Sequence, residues 1–168
     1  MRILARAITP KRMDSLDPEI YYDEIQRTIK YQTAPTVKRL YELGVRTWDH
    51  KPVFSVKPII SKSLIEVDVI PTGQHAEQYG YVHDGVPARI IVPRKPGGLL
   101  RFRSGYSPAT RPGSITAGRA RRSGDWASAK AVRWPGIKAR EFSKPIAART
   151  KPRFKRDIEN ALRRVARR

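Results

Sequence analysis

The stretch AVRWPGIKAREFSKPI, from Ala131 to Ile146, decides the fold reading. Val132 and Trp134 alternate with Ala131 and Arg133, the period of a strand. Pro135-Gly136 is a turn dipeptide, and glycine supplies a positive φ there. Ala139 is small, as a close backbone approach requires, and Phe142 is an apolar anchor ahead of a helix start. These five residues, Trp134, Pro135, Gly136, Ala139 and Phe142, form a structural turn that docks a terminal helix on a sheet. None of them is a nucleophile or a general base.

Working outward, the helix that follows shows an apolar stripe of Phe154, Ile158, Ala161, Leu162 and Val165 at helical spacing. Pro152 predicts that its regular part begins near residues 150–152, after a separate turn near 143–145. Arg163, Arg164, Arg167 and Arg168 crowd its C-terminal end, where cations suit the dipole. Upstream, LDPEIYYDEIQRTIKYQ reads as a helix with Asp17 as N-cap and Pro18 at the first turn. Pro35 predicts a kink or a fresh start, and PTVKRLYELG continues to Gly44 as C-cap. PVFSVKPII and SLIEVDVI then alternate with period two, predicting an antiparallel pair with Glu66 and Asp68 on a solvated face. GQHAEQYGYVHDG reads as a short helix or turn with Tyr79, Tyr81 and Val82 inward. ARIIVP and LLRFR read as two strands joined through RKPGG as a hairpin. The Gly-, Ser- and Arg-rich segment 104–128 reads as a long flexible or assembly loop.

The expected architecture is α+β: N-terminal helices, a small antiparallel sheet with a long basic loop, and a C-terminal helix packed on the sheet. One domain spans 1–168, with 1–16 as an N-terminal arm.

Charge is the strongest compositional signal. The 168 residues carry a formal net charge of +20 and no Cys. Residues 1–88 hold 12 Lys+Arg against 11 Asp+Glu, while residues 89–168 hold 23 against 4. The back half must therefore meet something acidic, either nucleic acid or an acidic protein surface. Without Cys there is no disulfide, thiol nucleophile or thiolate metal site. No apolar run is long enough to span a membrane, and the first residues lack a signal-peptide pattern, which predicts a soluble, non-secreted protein. His75 and His83 match no zinc spacing, RKPGG lacks the context of a phosphate loop, and no Ser-His-Asp order is present. No enzyme and no cofactor is expected.

Two basic clusters remain. Arg111, Arg119, Arg121 and Arg122 lie in the 104–128 segment with Trp126, and Arg149, Lys151, Arg153, Lys155 and Arg156 line the entry to the last helix. They read as a nucleic-acid patch, an assembly surface toward acidic neighbours, or a solvated face. As a nucleic-acid patch the footprint is sequence-nonspecific, with Tyr106 and Trp126 available for stacking.

In order along the chain stand YGYVHDG (79–85), IIVPRKPGGLLRF (90–102), VRWPGIKAREF (132–142) and KPI (144–146). This series resembles the tail-completion, or neck, proteins of long-tailed bacteriophages, over about half the chain. Two positions depart from the family pattern: Trp134 stands where His is usual, and Gly85-Val86 where Gly-Thr is. The resemblance implies a structural virion protein without enzymatic activity. It would form a homo-oligomeric ring of six copies at the head–tail junction, between the portal-side connector and the tail tube or terminator. Contact with packaged DNA is compatible with such a place. Assembly would take place in the host cytoplasm. The alternative is a sequence-nonspecific nucleic-acid-binding protein using the basic C-terminal half.

Overall fold

A computed structural model describes residues 2–5, 18–61, 65–119 and 121–167. The elements run β1 (Arg2–Ala5), α1 (Pro18–Thr28), a π-helical turn (Ile29–Thr33), α2 (Ala34–Gly44), β2 (Val53–Ile60) and β3 (Ile65–Thr72). They continue with α3 (Ala76–Asp84), β4 (Arg89–Ile91), β5 (Leu100–Ser107), β6 (Arg121–Ala129), β7 (Val132–Trp134) and α4 (Ser143–Val165). The protein is α+β, and among the described residues every strand pair is antiparallel. Where the sequence reads as one domain, contacts sort the chain into two compact units, because it leaves the first unit and re-enters it. Unit 1 comprises 1–42, 53–72 and 143–168, and unit 2 comprises 43–52 and 73–142.

Unit 1 is a three-stranded sheet in the order β1-β3-β2, with α4 packed against α1 and β1. The predicted β2–β3 pair is present, with Val56 opposite Val69. The arm expected over 1–16 differs at its start: residues 2–5 pair with β3, Ile3 opposite Val67. The rest of that arm, and the Asp17 cap, lie outside the described residues. With a strand on each side, β3 is central. Glu66 on this strand is buried, not solvated as its alternation suggests, because period two along one strand does not report what packs over its second face.

The break at Pro35 takes the form of a π turn. Pro35 has no N–H for the Tyr31 carbonyl. The helix widens ahead of it, Ala34 N donating to Ile29 O, and the Thr36 hydroxyl donates to Gln32 O at 3.1 Å. Ile25, Ile29, Val37 and Tyr41 are buried along the same helical run, and Tyr41 meets Phe54 of β2 at 5.3 Å between ring centroids.

α4 starts at Ser143 and runs unbroken through Pro152, against the expectation of a start near 150. The stripe of buried residues extends back through Thr150 to Ile146. Burying a side chain such as Ile146 contributes about 1.5–3 kcal/mol. That is comparable to the ~3 kcal/mol cost of an interior proline. Pro152 and Ala148, whose carbonyl loses its helical donor at the proline, are both exposed residues.

In unit 2 the strand pairing differs from the local expectation. β4 pairs with β7 (Ile90 opposite Arg133), and β5 pairs with β6 (Phe102 opposite Ala127). The RKPGG stretch does turn, Gly98 N donating to Lys95 O at 3.0 Å, but it joins two different sheets. Prolines 93 and 96 lack the N–H groups a continuous ladder needs. The 104–128 segment is not all loop: residues 104–107 and 121–128 belong to the β5–β6 hairpin, and 108–119 connect its strands.

Candidate functional site

The distinctive geometry of unit 2 begins at the end of α3. Gly85 leaves the helix at φ 85°, its N–H donating to Tyr81 O at 3.1 Å. A Cβ there would stand 2.8 Å from Ile137 O and 2.9 Å from Ala139 N. Gly136 is its counterpart, at φ 82°, where a Cβ would lie 2.9 Å from Ala88 N. Between these glycines Val86 and Ile137 exchange two backbone hydrogen bonds, each 2.9 Å. Contacts under 3.0 Å leave no room for a side chain, so both positions require glycine.

The chain after the turn closes the end of α3. Arg140 N donates to Val82 O and His83 O, and Glu141 N donates to His83 O at 3.1 Å. These bonds satisfy carbonyls that a helix C-terminus leaves open. Phe142 is then buried beside Tyr79 (5.6 Å between centroids, stacked), with Trp48 and His83 within 6.4 Å. Trp134 packs rather than ligates: the Arg89 guanidinium lies 5.2 Å from its ring centre. Stretches 79–86 and 132–142, far apart in sequence, are thus one backbone-locked unit. Tyr81 departs from its expected inward position and is about half exposed. Tyr79 and Tyr81 are two residues apart, so on a helix they face opposite ways. The Tyr81 hydroxyl donates to Glu77, and this bond raises the phenol above its ordinary value.

The β5–β6 hairpin supplies an outward face. Its register puts Leu100, Phe102, Ala127 and Ala129 on one side and Arg101, Arg103, Trp126 and Ser128 on the other. The first set is half-buried and the second exposed. Trp126 is 61% exposed, with the Arg103 and Arg101 guanidinium carbons 4.8 and 5.9 Å from its ring centre. Arg103 also donates to Gly124 O at 3.1 Å, which holds the pair of strands across a bulge. Tryptophan and arginine are the side chains most often found at the energetic centres of protein interfaces.

Compared with known families, curated proteins and solved structures, the chain matches none.

The predicted contact residues belong to two different elements of the chain, the β5–β6 hairpin and α4. Arg111 and Arg119 are exposed in the connection between β5 and β6. That connection is tied down: Thr110 is buried, Gly118 N donates to Ala109 O at 2.7 Å, and the Thr47 hydroxyl donates to Gly118 O. Arg121 and Arg122 lie in β6. Arg149, Lys151, Arg153, Lys155 and Arg156 are all exposed on α4, with Arg153 3.8 Å from Asp157 and Lys155 3.8 Å from Glu159. Sequence reasoning missed Arg101 and Arg103, because it paired β5 with the wrong strand. The alternation L-R-F-R in 100–103 was the available signal. His50 and His75 come together, 4.8 Å between ring centres. Among the described residues no group of three or more His, Cys, Asp or Glu is placed to hold a metal. No described helix is long and apolar enough to cross a membrane.

Proposed function

We propose that this chain is a structural virion protein of the phage head–tail junction, a tail-completion or neck subunit. In this reading it forms a ring, of six copies by the resemblance, between the portal-side connector and the tail tube. The observation that carries the reading is the lock between 79–86 and 132–142. The two separated stretches that resemble the neck family meet through Gly85, Gly136 and the Val86–Ile137 bonds. Such a lock is an assembly scaffold: it fixes backbone without presenting reactive groups. Trp134, in place of the usual His, packs under Arg89 and serves the same structural end.

The Arg101–Trp126–Arg103 face is the contact surface this reading assigns, directed at an acidic patch on a neighbouring subunit or ring. Complementary charge sets register there, and the exposed ring supplies apolar area. The test is deletion of the gene from the phage that carries it, with electron microscopy of the lysate. DNA-filled heads beside separate, finished tails are the expected result. Normal joined particles, or empty heads, overturn the reading. Complementation with Trp126→Ala plus Arg101→Glu and Arg103→Glu should leave heads and tails apart, although the purified variant folds.

A further inference from the structure

The two basic surfaces differ in chemistry. The hairpin face is built around an exposed tryptophan. On α4 the exposed cations stand without apolar company. Arg149, Arg153, Arg156 and Arg163 fall at offsets of four, seven and fourteen residues, which places them on one face of the helix. That face lies opposite the buried residues Phe154, Ile158 and Val165. Asn160 and Pro152 fill the intervening positions. The stripe runs about 21 Å, from fourteen residues at about 1.5 Å each.

We infer that this arginine stripe binds the phosphodiester backbone of a DNA duplex. A protein interface has an apolar centre inside a polar rim. None of the exposed large apolar side chains of the described residues lies on α4, so the stripe has no such centre. Single-strand binding uses aromatic stacking platforms, and the stripe carries no aromatic residue. A straight row of guanidinium groups on a rigid helix instead suits a regular polyanion. Arginine also matches phosphate with two parallel donors. Among the described residues only Asp157 pairs with the stripe, through Arg153. The contact reads no bases, so its affinity is independent of sequence. It does not depend on the ring reading, since a monomer presents the same helix face.

The test compares three forms of the full-length protein. One carries Arg149, Arg153, Arg156 and Arg163 all changed to Gln. A control carries Lys57, Lys95, Lys130 and Lys138 changed to Gln, removing equal charge from other exposed positions. Glutamine is a good helix former, so α4 is retained, and circular dichroism checks this. Binding to a fluorescein-labelled duplex of about 30 base pairs is followed by anisotropy between about 50 and 200 mM salt. The stripe variant should bind at least about tenfold more weakly. Its slope of log affinity against log salt should fall by up to about 3.6, at about 0.9 per lost phosphate contact. The control should stay within about one unit of the parent slope, and four Arg→Lys changes should restore most of the loss. Equal losses in stripe and control variants, or a stripe variant that binds as the parent does, overturn the inference. So does poly-glutamate displacing the duplex at equal charge concentration, which would give this face to an acidic protein.

Discussion

Val86 and Ile137, separated by the whole β4–β7 segment of sequence, hold each other through paired 2.9 Å backbone bonds. The glycines that flank this contact, Gly85 and Gly136, are the residues that let it form.

Gly136→Ala should therefore be severely destabilising. The substitution places a Cβ within 2.9 Å of Ala88 N at a φ of 82°. The positive φ alone costs about 1–2 kcal/mol, and the backbone clash adds to it. Gly80→Ala, in the interior of α3 with nothing within 4 Å, should go the other way by about 0.5–1 kcal/mol. Urea midpoints of the two variants test this; equal losses would show that the close approach is not what selects glycine.

Phe142→Ala should cost about 3–5 kcal/mol, the usual loss for an aromatic removed from a core. Its ring stacks on Tyr79 and is 2% exposed. Chemical denaturation measures the loss, and near-ultraviolet dichroism should lose intensity from the Trp48–Tyr79 cluster. A cost under about 1 kcal/mol would mean that the lock is held by backbone bonds alone.

Pro152→Ala should stabilise the protein. Pro152 is exposed inside α4 and lacks the N–H for the Ala148 carbonyl. The gain should reach at most about 3 kcal/mol, less the lost stiffness of the unfolded chain. A thermal melt decides it, and a lower midpoint would show that the proline shapes the helix.

Tyr41 sets an alkaline limit. Burial, and then the Asp68 charge, push its phenol well above the ordinary value. The neutral form is thus favoured in the folded state. Its stabilisation is full below about pH 10, the unfolded value, and is lost as pH rises toward the folded one. Tyr41→Phe should show a smaller drop in urea midpoint between about pH 8 and pH 11 than the parent. Identical drops in both proteins would exclude the phenol as the cause.

Arg164 ties α4 to α1 through Glu24 at 2.8 Å and the Thr28 hydroxyl at 3.0 Å. Because Arg164 is 44% exposed, a double-mutant cycle with Glu24 should give a coupling of only about 0.2–1 kcal/mol. A larger value would mark the pair as a specific determinant of helix docking.

Local patterns in the sequence determined the elements whose partners are near at hand. The helical runs, the β2–β3 pair and the glycine turn at Gly136 were all legible. Each depends on side-chain period or on turn chemistry, which a short window contains. The imbalance of charge toward the back half was equally plain. Tertiary structure alone decided the rest. It gave β5 to β6 rather than to β4, added Arg2–Ala5 beside β3, buried Glu66, and carried α4 through Pro152. It also brought Arg101 and Arg103 to Trp126. Strand partners and burial on both sides of a sheet depend on residues far away in the chain, and no local period encodes them.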